Sequence, residues 1–569
     1  MDKILKKIFI SLFEGFALWR KSKNHANLME TLRIRMIFSC VCGVFMVATI
    51  SYKLADIMII SRIISKDSKN LEKDGIIKKA DIIDRNGEIL ATSIMTASCF
   101  ADPSVIIDLD ETAKKLSKIP GMPSIDKIKY KLKDKNKHFV WLARHITPQF
   151  QQQVLDMGLP GISFLKDYKR IYTHAALFSH IIGCQDIDGK GVCGIEKKFN
   201  DQLIVKNFSD KKLRLTLDLR LQSIVHEELQ AAVEKFKAIG GNAILMKISG
   251  GEVLSMVSLP EFDPNNLKST TNDAMFNRNT LGVFEPGSTF KILNVAIALE
   301  SGSAKINSMF DATSAIKMGR HKISDFKGKN RALTLAEAFV FSSNIAAVKI
   351  EQTFGPKLQK EYMKKFGVLE KPGVEIPEVA YPILPAAWNE SAATTISYGY
   401  GVSVSPIQLL TVISSIVNNG RKVTPTFLYN HSVESNESIV SKETSETIRD
   451  LMRAVVCYGT AKKAGVEGIS IFGKTGTAYK MTGKGYGSDA NRARITTFVG
   501  GFPKENPQYM LLVTLDNPKA IEGTYGYATA GWNVAPTAKN IFERIIPMLI
   551  DGESCEDTEL KVAKYINLR

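Results

Sequence analysis

Between Met36 and Tyr52 the sequence MIFSCVCGVFMVATISY carries no charge, and Arg35 and Lys53 bracket it. Long basic stems reach back to the headgroups, which extends the run towards the roughly 20 residues that cross a bilayer, so one spanning helix is expected over 34–55. A buried core helix or a cleaved signal peptide is the competing reading; no convincing A-x-A site follows the run to support cleavage. Lys3, Lys6, Lys7, Arg20, Lys21, Lys23, Arg33 and Arg35 precede it with few acids among them. That bias keeps the amino terminus in the cytoplasm and sends the rest of the chain across. No later stretch reaches spanning length without charge, so a body on a single anchor is expected.

Beyond the anchor the pattern turns to short alternations. ADIIDRNGEILATS sets apolar residues on either side of Arg85-Asn86-Gly87, a hairpin signature in which Asn-Gly supplies the positive-φ turn. Asp110 to Asp156 is rich in Lys and helix formers, and Arg170 to Leu203 returns to Gly punctuation. Residues 56–211 read as a mixed, elongated module without evident catalytic chemistry. From Leu213 the texture changes. LRLTLDLRLQSIVHEELQAAVEKFKA runs from a strand into an amphipathic helix, and GNAILMKISGGEVLSMVSL follows as two strands around Gly250-Gly251. Strand, helix and hairpin in this order predict an α+β layered domain over 212–551. Residues 1–33 remain as a basic cytoplasmic tail and 552–569 as a carboxy-terminal one; no internal repeat appears.

A chain of 569 residues exceeds what one core supports, which agrees with more than one domain. With 44% hydrophobic and 23% charged residues it falls in the globular class. The net charge of +17 invites a nucleic-acid partner. The basic residues are spread along the chain, however, without zinc-finger spacing, a basic zipper or an aromatic RNA-binding signature, so no nucleic acid is expected. An anionic membrane surface or an acidic polymer outside the cell accounts for the charge equally well. Of the seven cysteines none forms a C-x-x-C pair, which argues against metal and redox chemistry. Cys184 and Cys193 flank a Gly-rich turn; a disulfide and two isolated thiols both fit.

Three short motifs stand in order: Ser288-Thr289-Phe290-Lys291, Ser342-Ser343-Asn344 and Lys474-Thr475-Gly476. Together they match the S-x-x-K, S-x-N and K-T-G set of serine acyl-transferases. Ser124 to Lys127 and Ser209 to Lys212 match S-x-x-K too, but lie in polar, Lys-rich runs. Ser288 differs in its setting, because Glu285-Pro286-Gly287 ends the preceding segment and STFKILNVAIALESG reads as a helix stopped by Gly302. The serine then sits at a helix amino terminus, which favours a developing alkoxide. Lys291, one turn on, shares its face, where an amine of depressed pKa can take the hydroxyl proton. Ser342 and Asn344 close the helical stretch LTLAEAFVFSSN, which continues through IAAVKIEQTFG. They suit proton relay and amide holding, although a helix bend or a polar core contact explains the tripeptide alone. Lys474 to Thr477 follow the apolar run ISIF on or just after a strand, and the cation suits a carboxylate. Gly468 to Thr475 also satisfies a phosphate-loop pattern, but polar AKKAGVE precedes it and Gly-rich YKMTGKGYGS follows where a strand and a helix are needed. No G-x-S-x-G elbow is present for a Ser-His-Asp site.

From anchor to about Ile550 the chain resembles the class B penicillin-binding proteins. IIDRNGEILATS and GKGVCGIEKKFNDQL are similar to the motifs that open and close their pedestal. LTLDLRLQ, SLPEFDPNN, FNRNTLGVFEPGSTFK, SYGYGVSVSPIQL and FGKTGTAYK are similar to successive segments of their transpeptidase domain. LGVFEPGSTFK and VTLDNPKAIEGTYGYATAGWNVAPTAKNIFERI look most like the cell-division type, with the elongation type as runner-up. Two departures concern the pedestal: KKADIIDRNG lacks the usual Gly, and Thr173 stands where a proline is usual. The resemblance implies a pedestal over 56–211 and, over 212–551, a β-lactamase-like domain with a central antiparallel sheet between helices. It further implies a periplasmic body on the cytoplasmic membrane that cross-links peptidoglycan stem peptides and is acylated by β-lactams. Its partners would be a polytopic glycan polymerase and other division proteins; no metal or organic cofactor is implied. By the same resemblance Ser288 is the nucleophile and Lys291 its base, while Ser342 and Asn344 relay protons and hold substrate. Lys474, Thr475, Gly476 and Thr477 bind substrate, with the N–H groups of Ser288 and Thr477 as the oxyanion hole. A β-lactamase would need neither anchor nor pedestal, and a non-catalytic assembly scaffold would not take up penicillin.

Overall fold

Buried Asp84 sets the first turn of the body. It accepts hydrogen bonds from the N–H groups of Asn86 (2.7 Å) and Glu88 (2.9 Å), and Gly87 takes φ +98°, so the chain reverses where Asn-Gly predicted. The computed structural model describes residues 36–37, 39–51, 53, 78–205, 211–319, 321–431, 435–480, 493–550 and 562–567. The reversal joins β1 (Asp81–Ile83) to β2 (Ile89–Ala101), which pairs antiparallel with β3 (Val140–Ile146) and β4 (Ile162–Tyr172). A small hairpin of β5 (Cys184–Gln185) and β6 (Gly191–Cys193) follows, and β7 (Lys212–Arg214) returns to pair in parallel with β1. Helices α1 (Leu109–Leu116), α2 (Ile125–Leu132) and α3 (Pro148–Leu155) close a small core of Cys99, Ala101, Ala113, Leu116, Ile128, Leu142 and Val154. Asp108 caps α1 by accepting from Asp110 and Glu111 N–H.

Helix α4 (Gly194–Lys198) carries Glu196 into a buried ion triad, 2.9 Å from Lys79 and 2.6 Å from Arg170, all three almost fully buried. Thr173 explains its departure from proline: its N–H donates to Leu90 O at 3.2 Å, a bond proline cannot make.

Asp218 then caps α5 (Leu219–Lys235), and β8 (Gly240–Lys247) with β9 (Glu252–Leu259) form the expected hairpin around Gly251 at φ +70°. The remaining elements that position the site are α6 (Lys291–Glu300), α7 (Leu335–Val340), α8 (Asn344–Glu351), α9 (Pro406–Val417) and α10 (Lys442–Tyr458). After them come β10 (Phe472–Tyr479), β11 (Arg494–Phe502), β12 (Tyr509–Asp516) and α11 (Val534–Leu549). The sheet runs β10-β11-β12-β8-β9, antiparallel throughout. Helices α5 and α11 pack on one face, α9 and α10 on the other. Covered on both faces, β8 and β12 are buried along nearly their whole length, which is why GGNAILMK and YMLLVTLD read as continuous rather than alternating apolar runs.

The sheet core does not stop at the expected 211/212 join. Ile82, Leu90, Ala91, Tyr172 and Phe178 belong to the same buried cluster as Leu217, Leu221, Leu254 and Met256. By contact the chain forms two compact units, Met1–Ile76 and Ile77–Arg569, so the segments on either side of 211/212 lie in one of them. In the first unit the described positions between 36 and 53 are helical. Among the described residues no helix is long and apolar enough to cross a membrane. The 1–33 tail and the remaining positions of the 34–55 anchor lie outside the described residues. Within the expected carboxy-terminal tail, Asn567 N–H donates to Glu337 Oε1 at 2.9 Å and Tyr565 O accepts from Thr334 Oγ1 at 2.8 Å.

Candidate active site

Ser288 lies in a 3-10 turn, Gly287–Phe290, that leads into α6, so it precedes the α-helix by three residues instead of starting it. Main-chain contacts grip the turn. Phe284 and Val404 exchange N–H···O bonds of 3.1 Å, Gly287 N–H donates to Gly399 O at 3.0 Å, and Glu285 Oε1 accepts from Gly401 N–H at 2.8 Å. Approach is so close that a Cβ on Gly399 would lie 1.9 Å from Gly287 O, and one on Gly287 3.0 Å from Thr477 O. The Gly-punctuated run SYGYG thus serves backbone contact.

The first turn of α6 brings Lys291 beneath Ser288, with Nζ 3.2 Å from Ser288 Oγ. Nζ also lies 2.6 Å from Ser342 O, 2.7 Å from Asn344 Oδ1 and 3.2 Å from Ser342 Oγ. Ser342 O and Asn344 Oδ1 can only accept, so they take two N–H bonds. A neutral amine has two N–H donors and one lone pair, which leaves that pair for a hydroxyl proton. Burial, then the ammonium of Lys474, push the Lys291 pKa well below the ordinary lysine value, against a smaller upward pull from Asp325. Burial and the neighbouring charge therefore favour the neutral amine, and the geometry sets Nζ within reach of the Ser288 hydroxyl.

The tripeptide Ser342-Ser343-Asn344 does not continue one helix, as the sequence pattern suggested. It breaks two. Ser343 N–H donates to Ala338 O (2.9 Å) and Ser342 N–H to Phe339 O (3.2 Å), the paired bonds of a Schellman end to α7. The left-handed position of that motif, favoured for glycine, is Ser342 at φ +61°, a strain of about 1–2 kcal/mol. The strain turns both Ser342 O and Oγ towards Lys291. Ser343 then caps α8 by accepting from Ala346 N–H at 3.0 Å, and Asn344 begins it.

Asp325 holds this break in place. Its carboxylate accepts from Ser343 Oγ (2.7 Å) and from the N–H groups of Asn344 (2.5 Å) and Ile345 (3.0 Å), while Ser324 O accepts from Asn344 Nδ2 at 3.0 Å. Sequence reasoning passed over it, since a lone Asp in SDFKGKN carries no motif.

Lys474, Thr475, Gly476 and Thr477 lie inside β10, the edge strand beside the serine turn. Gly473 to Thr475 therefore sits mid-strand without the loop and helix a phosphate site requires. Fully buried Lys474 donates to Ser342 Oγ at 3.0 Å, so one hydroxyl bridges the two lysines, and burial brings its pKa down to about 7. Gly476 is required by packing, for a Cβ there would lie 2.8 Å from Pro286 O. Thr475 is buried, its hydroxyl 2.5 Å from that of Thr460, a partner the motifs did not mark. Half-buried Thr477 accepts Ala530 N–H at Oγ1, 3.1 Å. Ser288, Lys291, Ser342, Asn344 and Lys474 thus form one hydrogen-bonded cluster, while Thr475 and Gly476 face packing partners. Of the two S-x-x-K serines named above outside the site, Ser124 caps α2 without a side-chain bond and Ser209 lies outside the described residues. Among the described residues no group of His, Cys, Asp or Glu side chains could hold a metal ion.

Two family models match the chain: the penicillin binding protein transpeptidase domain over residues 241–543 and the penicillin-binding protein dimerisation domain over 78–208. The chain is 31% identical over 486 residues to the probable peptidoglycan D,D-transpeptidase FtsI of Caulobacter vibrioides, covering 83% of this chain and 81% of the relative. It is 28% identical over 545 residues to the peptidoglycan D,D-transpeptidase FtsI of Escherichia coli, covering 88% and 90%. Its fold is similar to that of penicillin binding protein 3 of Mycobacterium tuberculosis, solved in complex with aztreonam. The TM-score is 0.64 at 23% identity, covering 83% of this chain and 96% of the other.

Proposed function

This chain belongs to the class B penicillin-binding proteins of the FtsI type, and from that premise we propose that it is a peptidoglycan D,D-transpeptidase of the division septum. Ser288 Oγ attacks the penultimate D-Ala carbonyl of a stem peptide while Lys291 Nζ takes the hydroxyl proton. The N–H groups of Ser288 and Thr477 receive the developing oxyanion, each worth about 10²–10³ in rate. As the C–N bond breaks, the proton passes from Lys291 through Ser342 Oγ to the departing D-Ala amine. An amine of a neighbouring stem then attacks the acyl-enzyme, returning a proton along the same path and freeing Ser288. Lys474 binds the terminal carboxylate, Asn344 holds a substrate amide, and Thr475 and Gly476 set the strand edge.

One observation carries this reading: a buried lysine whose Nζ is held by Ser342 O and Asn344 Oδ1 and lies 3.2 Å from both the Ser288 and the Ser342 hydroxyl oxygens. A β-lactam presents a strained amide and a carboxylate to the same groups, and its acyl-enzyme lacks a departing amine. The uncharged run 36–52 and the basic residues before it support an anchor over 34–55 with the body on the periplasmic side, where a polytopic glycan polymerase and other division proteins would meet it.

The test is intact-mass spectrometry of the purified protein with benzylpenicillin, beside Ser288→Ala. A stable adduct of one penicillin, absent from the variant, is expected. Folded wild-type protein that takes up no penicillin would overturn the assignment.

A further inference from the structure

Away from the cleft the fold sets two thiols against each other. Cys184 and Cys193 face one another across β5 and β6, with Sγ atoms 3.2 Å apart, Cys184 buried and Cys193 half-buried. The intervening turn is tied by Asp186, whose Oδ1 accepts from Asp188 (3.0 Å) and Lys190 (2.9 Å) N–H, and whose own N–H donates to Lys190 O at 2.8 Å. Contact behind the strands is equally close. A Cβ on Gly183 would lie 2.0 Å from Cys193 O, and one on Gly194 2.6 Å from Ile181 O. The thiols are thus held facing by backbone packing.

The hairpin joins the two parts of the body. Both cysteines pack with Phe262 and Ala274 of the sheet domain. One residue on, Gly194 N–H donates to Glu378 Oε2 at 3.0 Å, and Lys197 Nζ lies 3.3 Å from Glu378 Oε1. Three residues beyond Cys193, Glu196 enters the buried triad.

We propose that Cys184 and Cys193 are an oxidation site, closed into an intrachain disulfide by exchange with the disulfide of a dithiol oxidant, so that the bond fastens the hairpin between pedestal and transpeptidase domain. The Cys193 thiolate attacks the oxidant's disulfide, forming a mixed disulfide and expelling one oxidant thiolate. Cys184 then loses its proton and attacks Cys193 Sγ, forming the intrachain bond and expelling the second thiolate. Two electrons pass to the oxidant, and the two cysteine protons finish on its thiols. Cys193 is suited to the first step because it is the more accessible and because the Cys184 thiol beside it lowers its pKa. The same contact, then burial, raises that of Cys184. Access to such an oxidant in the cell rests on the exported topology proposed above; the pairing itself does not.

The experiment uses the full chain in detergent, equilibrated in equal amounts of reduced and oxidised glutathione, acid-quenched, alkylated and digested with trypsin. Lys190 lies between the two cysteines, so their peptides separate unless a bond joins them. Joined peptides that take up alkylating reagent only after reduction are expected, with a melting temperature lowered by several degrees on reduction in wild type and unmoved in Cys184→Ser/Cys193→Ser. Separate, alkylated peptides from the equilibrated native protein would overturn the proposal, as would glutathione on Cys193 with Cys184 free. Wild-type protein alone decides this, so a variant that fails to fold leaves the test intact. Penicillin uptake at Ser288, measured on the same samples, separates failure here from failure of the enzymatic reading.

Discussion

Replacing Asp325 by Asn asks what one carboxylate does for a site that holds no acid of its own. Three donors converge on it: Ser343 Oγ, Asn344 N–H and Ile345 N–H. Hydrogen bonds to a charged group contribute about 1.5–3 kcal/mol and neutral ones about 0.5–1.5, so exchange for an amide of the same shape loses roughly 1 kcal/mol per bond. Over three bonds the loss is about 3 kcal/mol. Full transmission to the geometry at Lys291 would slow acylation by about 100-fold, and transmission of half by about 10-fold. We expect a fall between these limits. A second effect has the opposite sense. The Asp325 charge raises the Lys291 pKa, so its removal lowers that pKa further. Acylation is lost as pH falls and Lys291 gains a proton, so in Asp325→Asn the acid limb of the rate profile moves to lower pH while the plateau drops. Fluorescent-penicillin acylation rates across acid and neutral pH measure both. An unchanged plateau, or a limb that moves to higher pH, would refute the reasoning.

Lys474→Gln removes the charge that depresses Lys291, so the acid limb should move to higher pH, with weaker capture of carboxylate-bearing penicillins; a limb moving the other way would contradict the lysine coupling. Gly399→Ala should displace the serine turn and slow acylation by on the order of 10²-fold, because its Cβ would meet Gly287 O at 1.9 Å; circular dichroism separates this from unfolding. Glu351, buried beside Glu390, has its pKa raised to about 7, chiefly by burial. The unfolded chain surrenders that proton first, so stability is full in acid and declines as pH rises towards 7. Glu351→Gln should therefore stabilise by about 1–2 kcal/mol above pH 7 after allowance for screening, and by little in acid. Equal melting shifts at both pH values would count against it.

How much was legible depended on the reach of each interaction. Ser288 and Lys291 could be paired from spacing alone, since one helical turn decides it, and the Asn-Gly hairpin likewise follows from local φ preferences. The backbone of Ser342 could not be read, because its left-handed conformation runs against local preference and is held by packing and by Asp325, 17 residues away in a stretch without regular pattern. The 211/212 join followed a change in texture; that Ile82 and Leu221 share one buried cluster across it leaves no local signal, since both are apolar in either case. Thr475 was read as substrate-binding from its motif; its contact with the Thr460 hydroxyl, just past the end of α10, left no mark in the sequence pattern.

The closure of β1 on β7 also dictates an order of assembly. Asp84 must wait for Leu219 N–H, 135 residues later, and β1 for Lys212 to Arg214. As the chain emerges from its amino terminus, the first hairpin is an open edge throughout that interval, and loop closure of this length is slow. Residues 77–211 can mature only when the stretch after them has begun to appear, so a ribosome paused near residue 211 would leave a half-built edge available to any passing strand.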